Sequence, residues 1–467
     1  MNSFKRTAWS CAFGAMAWSG LSHAQDDRPN CADFFLEITN PAFEICRGNL
    51  AAIPFDLLAP GARSLGLGGA FAAVADDATA AEANPAGQTI LTRPEVSVHV
   101  RNARYSASFF DPNALDSDAF AEFNDDYAPI GPGPVTAYDD SNTKISFLSF
   151  VYPFERFVLS AFYQNAGALQ ANTEIVAVES TFNDTYIAAT GIDIEQESFG
   201  LSGAFRINDL FSIGASIKHS TLDLQTFSSS TVLDFRDLEV NFPNGGPYLQ
   251  DEITLGSRSY GDDHDMTWNV GLLINPNGTF SGGVVYKRGG DFDITNQLYV
   301  INLANCANAV CDGDNFVGDV SRKQTISLPN VLSLGVAWRP TDTWLLSAQV
   351  DRVDYGKLPN GSPNGFLFGG TTDISADVDP LDTETVVHLG VEKTFLFDAP
   401  VLGLKLLSVR AGGFTDPDHD SYGELDTDDT HYTFGLGTVF GERLQVDLGA
   451  EFSDRVDAVV MSGVYHF

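Results

Sequence analysis

The chain has 467 residues, 26 of them basic and 62 acidic, for a formal charge of -36. An acidic excess of that size excludes nucleic acid as a partner, because the protein would repel the phosphate backbone. Disorder is excluded as well: 44% hydrophobic and 12% aromatic residues are too many for a chain that never packs, so the charge must be segregated from an apolar fold.

Residues 1–24 read as a secretory signal peptide, with Lys5 and Arg6 ahead of the apolar run AWSCAFGAMAWSGL and small residues up to Ala24. Cys11 leaves with it, and the exported chain carries -38. No later apolar run approaches the roughly 20 residues a spanning helix needs, so any membrane crossing is made by strands. The four remaining cysteines form two close pairs, Cys31 with Cys46 and Cys306 with Cys311. In an oxidising compartment these are candidate disulfides, with free thiols or another pairing left open. Neither pair has the second set of ligands a zinc site requires.

Residues 25–94 form an N-terminal extension that does not alternate as strands do. It ends in GARSLGLGGAFAAVADDATAAEA followed by Asn84, Pro85 and Ala86. Asn84 can bond its own backbone nearby, and Pro85 fixes φ and removes a donor, so the motif closes a compact segment before the next element.

From residue 95 to 467 the chain alternates with period 2, the pattern of strands with two different faces. In EVSVHVR, Val96, Val98 and Val100 oppose Ser97, His99 and Arg101. Fourteen such segments are expected: 95–110, 142–152, 156–168, 195–207, 210–224, 265–275, 279–288, 330–339, 343–354, 384–394, 404–414, 430–440, 443–452 and 458–467. Tight turns such as Asn208-Asp209 and Pro276-Asn277-Gly278 alternate with long connectors at 111–141, 169–194, 225–264, 289–329, 355–383 and 415–429. An even strand number with short turns on one side and long loops on the other describes an all-β, 14-stranded antiparallel transmembrane β-barrel of the bacterial outer membrane, with both chain ends on the periplasmic side. The acidic charge sits in the loops, where 111–141 and 415–429 hold eight and seven carboxylates and no Lys or Arg. Such loops are either a solvated surface or cation-bridged neighbours of outer-membrane lipid and lipopolysaccharide.

The second face of the strands is rich in small residues, as at Ser198, Gly200, Ser202 and Ala204, which suits a crowded lumen. Fourteen strands enclose more space than their own side chains fill, and the segment before residue 95 is the natural hatch or plug.

GARSLGLGGAFAAVADDATAAEANPAG with its Asn84-Pro85-Ala86 motif resembles the N-terminal hatch of the FadL/TodX family of outer-membrane transporters for hydrophobic compounds. LPNVLSLGVAWRPTDTWLLSAQVDRVDY, 328–355, resembles that family's paired late strands, and VVMSGVYHF resembles a terminal β-signal for barrel insertion. The resemblance implies passive, hatch-gated uptake of long-chain fatty acids or aromatic hydrocarbons, with a wall opening into lipid. Because the glycine-rich lead into Asn84 also resembles related fourteen-stranded barrels linked to protein export, a structural or export role is the alternative.

Candidate solute contacts are Phe235 and Phe242 in the aromatic loop 225–264, and three cations whose strand phase points them inward, Arg101, Lys218 and Arg410. Lumenal acids at Asp351, Glu392, Asp447 and Glu451 could pair with those cations instead. No cofactor, metal or catalytic set is expected. Gly66-x-Gly68-Gly69 lacks a preceding strand, and Asp416-x-Asp418-x-Asp420 lacks the glycine and terminal glutamate of a calcium loop.

Overall fold

The computed structural model describes residues 60–108, 137–179, 185–233, 253–276, 278–302, 316–357, 383–401, 404–416, 429–441, 443–453 and 456–467. The signal peptide, all four remaining cysteines, Phe235 and Phe242 lie outside the described residues.

Fourteen antiparallel strands form the wall. They are β1 (Glu95–Ser108), β2 (Ala137–Pro153), β3 (Phe157–Glu179), β4 (Thr185–Arg206), β5 (Phe211–Leu233), β6 (Ile253–Ile274), β7 (Phe280–Arg288, resuming as Asp291–Asn302) and β8 (Phe316–Ser327, resuming as Asn330–Thr341). The circuit continues with β9 (Trp344–Asp354), β10 (Thr383–Val401), β11 (Leu404–Asp416), β12 (Asp429–Phe440), β13 (Leu444–Phe452) and β14 (Val456–His466). Pairing of β1 with β14, from Glu95↔His466 to Tyr105↔Val456, closes the ring. The hydrogen-bonded segments number sixteen because β7 and β8 are each interrupted once, so the crossings remain fourteen.

Strand ends differ from the sequence expectation. β3, β4, β5 and β6 run 22 or 23 residues, about twice what a bilayer crossing needs, and occupy most of the expected connectors 169–194 and 225–264. The expected connector 289–329 likewise contains the outer halves of β7 and β8. The antiparallel ladder therefore continues well past the residues where the alternation marks a crossing.

Outward faces are apolar over a band: Leu201, Val336 and Leu389 are 65%, 62% and 59% exposed. Burial of apolar area is worth about 25 cal/mol per Å², so such faces need lipid around them rather than water. Aromatic residues rim the short-turn end, among them Phe154, Phe211, Phe280, Trp338, Trp344 and Tyr465. They form the girdle expected at a membrane interface. No helix among the described residues is long and apolar enough to cross a membrane.

Residues 61–91 lie inside the ring. A short helix α1 (Ala62–Gly66) packs on β11–β14, whereas α2 (Ala80–Ala83) and a 3-10 helix (Pro85–Ile90) pack on β3–β6, so the segment spans the lumen from wall to wall. The small inward residues of the wall are explained by this fit. A Cβ on Gly283 would collide with the Ala72 carbonyl, one on Gly214 with Pro85 and Ala86, and one on Gly412 with Gly68. Gly68 itself adopts a φ of +64°. Backbone therefore meets backbone, which no larger side chain permits.

Replacing Gly283 by Val should leave the barrel folded but displace residues 70–74. Limited proteolysis of purified protein should then cut within 61–91, whereas the native segment resists.

Candidate functional site

Many polar contacts join the wall to the lumenal segment, Gln349 to the Phe71 and Ala72 amides and Ser462 to the Ala62 amide among them, and three carry the most groups. The first is Asn84, fully buried, which ends α2 in an extended conformation. Its Nδ2 donates to the Ala72 carbonyl at 2.7 Å and to the Leu272 carbonyl of β6 at 3.3 Å, and its Oδ1 accepts from the Ala86 amide at 3.2 Å. The one side chain thus ties the segment to itself, ties it to the wall, and caps the 3-10 helix that Pro85 begins.

The second contact is Glu82. Lys218 of β5 donates to its Oε2 at 2.9 Å, Lys287 of β7 lies 3.3 Å from its Oε1, and Asn269 of β6 donates to both its carboxylate and its carbonyl. Burial pushes the Glu82 carboxyl up, but the two lysine charges outweigh burial and hold it below the ordinary glutamate range.

The third is a buried chain of charge from Asp76 to Arg63, Glu392, Arg410 and Asp447. Arg63 pairs with Asp76 and, at 3.1 Å, with Glu392 of β10. Arg410 of β11 lies 2.5 Å from Glu392 and 2.7 Å from Asp447 of β13. The alternation placed Arg410 and Lys218 in the lumen, and there they are, but Lys218 pairs with Glu82 of the segment and Arg410 with the wall acids Glu392 and Asp447. Arg101 also faces inward, 3.8 Å from Glu451. Glu82, Lys287 and Arg63 were missed. Lys287 shares the inward phase of Val285 and so was legible, whereas nothing local to an alanine-rich helix marks Glu82 as a partner of strands 136 or more residues away.

Asp77, beside this chain, accepts from the amide and hydroxyl of Thr79. Burial raises its pKa to about 6, against the opposing charge of Arg63.

On the outer side of the segment the lumen is apolar. Leu222 and Leu224 of β5, Phe292 and Ile294 of β7, Ile326 and Leu328, Val353 and Phe414 belong to one buried cluster drawn from β4, β5 and β7–β11. Opposite the lysines the wall is polar, and His388 bonds the Gly68 carbonyl at 2.8 Å while lying 3.3 Å from Asp351. On the inner side of the segment a cavity of about 310 Å³ opens among Thr89, Leu91, Arg156 and Arg206.

The wall is interrupted beside these features. Pairing of β2 with β3 runs from Pro153↔Val158 to Phe147↔Gln164 and stops, and β3 bulges at Asn165–Gly167. There Lys144 of β2 and Asn165 of β3 both reach Glu195 of β4, at 2.7 and 2.8 Å.

The profile of a family described as outer membrane protein transport protein (OMPP1/FadL/TodX) matches residues 59–362. Among solved structures, a Pseudomonas aeruginosa FadL homologue is similar over 88% of this chain and 99% of its own, at 15% identity and a TM-score of 0.58. The P. putida toluene transporter TodX is similar over 88% and 99%, at 12% identity and 0.53. The CymD monoaromatic hydrocarbon channel is similar over 89% and 99%, at 14% identity and 0.51. Identities this low establish the shared fold. No curated protein matches the sequence.

Two outcomes test how the segment is held. Asn84→Ala leaves the buried Ala72 carbonyl without its donor, at a cost of about 1–3 kcal/mol. Hydrogen exchange across 61–91 should quicken while heat-modifiable migration of the barrel is unchanged. The pH dependence follows from two opposed carboxyls. The contribution of Glu82 is present above the ordinary glutamate pKa and lost as pH falls through its lowered value. Asp77 works the other way, its contribution being present below the ordinary aspartate pKa and lost as pH rises through about 6. Between pH 7 and pH 5 Asp77 is the one of the two that changes state. Acidification over that window should therefore slow exchange across the segment, and Asp77→Asn should abolish the effect.

Proposed function

Because the chain belongs to the OMPP1/FadL/TodX family of outer membrane transport proteins, and so resides in the bacterial outer membrane, we propose that it is a passive channel for hydrophobic compounds in which residues 61–91 act as a hatch. The observation that carries this reading is the apolar cluster inside the barrel, directly outside the hatch. A lumen for polar solutes would be lined by polar groups along its length, whereas here Leu222, Leu224, Phe292 and Ile294 face one another. An apolar solute gains about 25 cal/mol per Å² by leaving water for such a surface.

The ion pairs bear on the class of solute. Lys218 and Lys287 are engaged by Glu82, and Arg410 by Glu392 and Asp447. A fatty-acid carboxylate would have to displace one of these acids, whereas an uncharged solute such as an aromatic hydrocarbon binds the cluster and disturbs none of them. The unpaired stretch between β2 and β3 offers the route out, because the outward side chain beside it, Ile145, is exposed where lipid lies. Passage there spares the solute the aqueous periplasm. This reading assigns no catalysis, no cofactor and no nucleic acid, and gives the protein outer-membrane lipid and lipopolysaccharide as neighbours.

The test is uptake of labelled toluene and of labelled oleate into cells whose other hydrophobic channels have been deleted. Expression of the protein should raise toluene uptake above the empty-vector rate, with a smaller rise for oleate. Leu224→Asn with Phe292→Asn should reduce the toluene rate at least tenfold in a barrel that still migrates as folded. Unchanged uptake in that variant would remove the cluster from the path.

A further inference from the structure

The wall is also interrupted in β7 and β8. β7 breaks at Gly289-Gly290 and β8 at Leu328-Pro329, side by side: the Leu328 amide donates to the Gly290 carbonyl at 2.8 Å, and the Gly289 amide to Asn330 Oδ1 at 3.1 Å. Beyond the breaks the two outer halves pair with each other from Asp291↔Ser327 to Ile301↔Phe316. Among the described residues the outer half of β8 is the edge of the sheet, with no strand on its far side. Towards β6, pairing stops at Trp268↔Arg288 and resumes at Tyr260↔Thr295. Six residues of β7, about 20 Å of chain at 3.3 Å per residue, therefore lie along β6 without the regular ladder.

Side chains close that gap. Asp263 Oδ2 accepts from the Asp293 amide at 2.8 Å and Asp265 Oδ2 from the Asp291 amide at 3.0 Å, which puts carboxylates where carbonyls would stand in a ladder. Arg288 bridges Asp265 and Asp291, at 2.9 Å to each. Gly261 allows the strands to close, since a Cβ there would lie 2.9 Å from the Asp293 carbonyl. The Arg288 ion pairs are exposed, and pairs of this kind contribute little to stability, so this seam is held more weakly than a regular ladder.

The chemistry changes from one side of the seam to the other. Its outer rim is polar, with Asp262, His264, Asp291 and Asp293 above the apolar Met266 and Trp268, so it stands at the upper edge of the lipid band. Directly inside are Phe292 and Ile294, two members of the apolar cluster. We infer that the seam between β6 and β7 is a side entrance, latched by Asp263, Asp265 and Arg288, through which an uncharged hydrophobic solute passes from the outer surface into the apolar cluster. The carboxylates on the rim repel a free acid, and the paired outer halves of β7 and β8 bow outward as one unit from their glycine and proline base. The inference rests on the hydrophobic-channel reading above.

The test uses the full-length protein in proteoliposomes with N-phenyl-1-naphthylamine as an uncharged probe. In the double variant Asp263→Cys with Asp293→Cys, a short bis-methanethiosulfonate cross-linker should lower probe entry at least fivefold, and dithiothreitol should restore it in the same sample. Gly261→Val, which props the seam, should raise the rate. Failure of the two cysteines to cross-link, or entry by the cross-linked protein at its reduced rate, overturns the side entrance while leaving the channel reading intact. If the wild-type protein admits the probe no faster than protein-free vesicles, the channel reading falls, and the entrance with it.

Discussion

The contact between the lumenal segment and the glycine-studded wall constrains everything else in the molecule. A fourteen-stranded ring is wider than its inward side chains can fill, so some other part of the chain must occupy it. Here the occupant is thin and close to the wall. Ala62 lies against Gly449, Gly68 against Gly412, Ala72 against Gly283, and Asn84 against Gly271, a circuit that touches both halves of the barrel. The contact buries Leu67, Phe71 and Val74 against Ala337 and Leu345 of the wall, and directional bonds at Asn84, Glu82 and Arg63 fix its register.

Ion pairs in such a place specify position. Buried ion pairs lose in desolvation much of what they gain by attraction, and they specify register better than they stabilise. The chain from Asp76 through Arg63, Glu392 and Arg410 to Asp447 fixes where the segment sits. Breaking a single link strands a charge.

Much of this was legible in the sequence because a lipid-embedded wall must alternate. Strand number and the inward phase of Arg101, Lys218 and Arg410 follow from period 2, and closure and the side of the short turns follow from tight turns alternating with long connectors. The ends of β3–β6 were not legible. Residues such as Ser228, Ser229 and Ser230 offer no contrast between faces, although they pair with Thr190, Ala189 and Ala188. Gly289-Gly290 and Leu328-Pro329 read as loop boundaries because glycine and proline punctuate loops far more often than they punctuate a continuing wall. The partners of Lys218 were hidden for another reason. Glu82 reaches it only because the segment folds back through the lumen, and spacing along the chain does not encode that.

The two interruptions of the wall differ in what borders them, and the difference orders them along a path. Between β2 and β3 the ladder ends next to outward apolar side chains, so a solute leaving there meets hydrocarbon. Between β6 and β7 it ends among carboxylates at the upper edge of the lipid band, so a solute meeting that seam comes from the polar surface. The apolar cluster takes members from β4 and β5, which lie between the two interruptions, and from β7 and β8 beyond the second. A hydrophobic molecule moving from the acidic rim to the cluster and then to lipid loses contact with water at each step. Residues 61–91 fill the lumen on the inner side of that path. Passive transport needs no other source of direction than this decreasing exposure, provided the solute carries no charge that the rim would refuse.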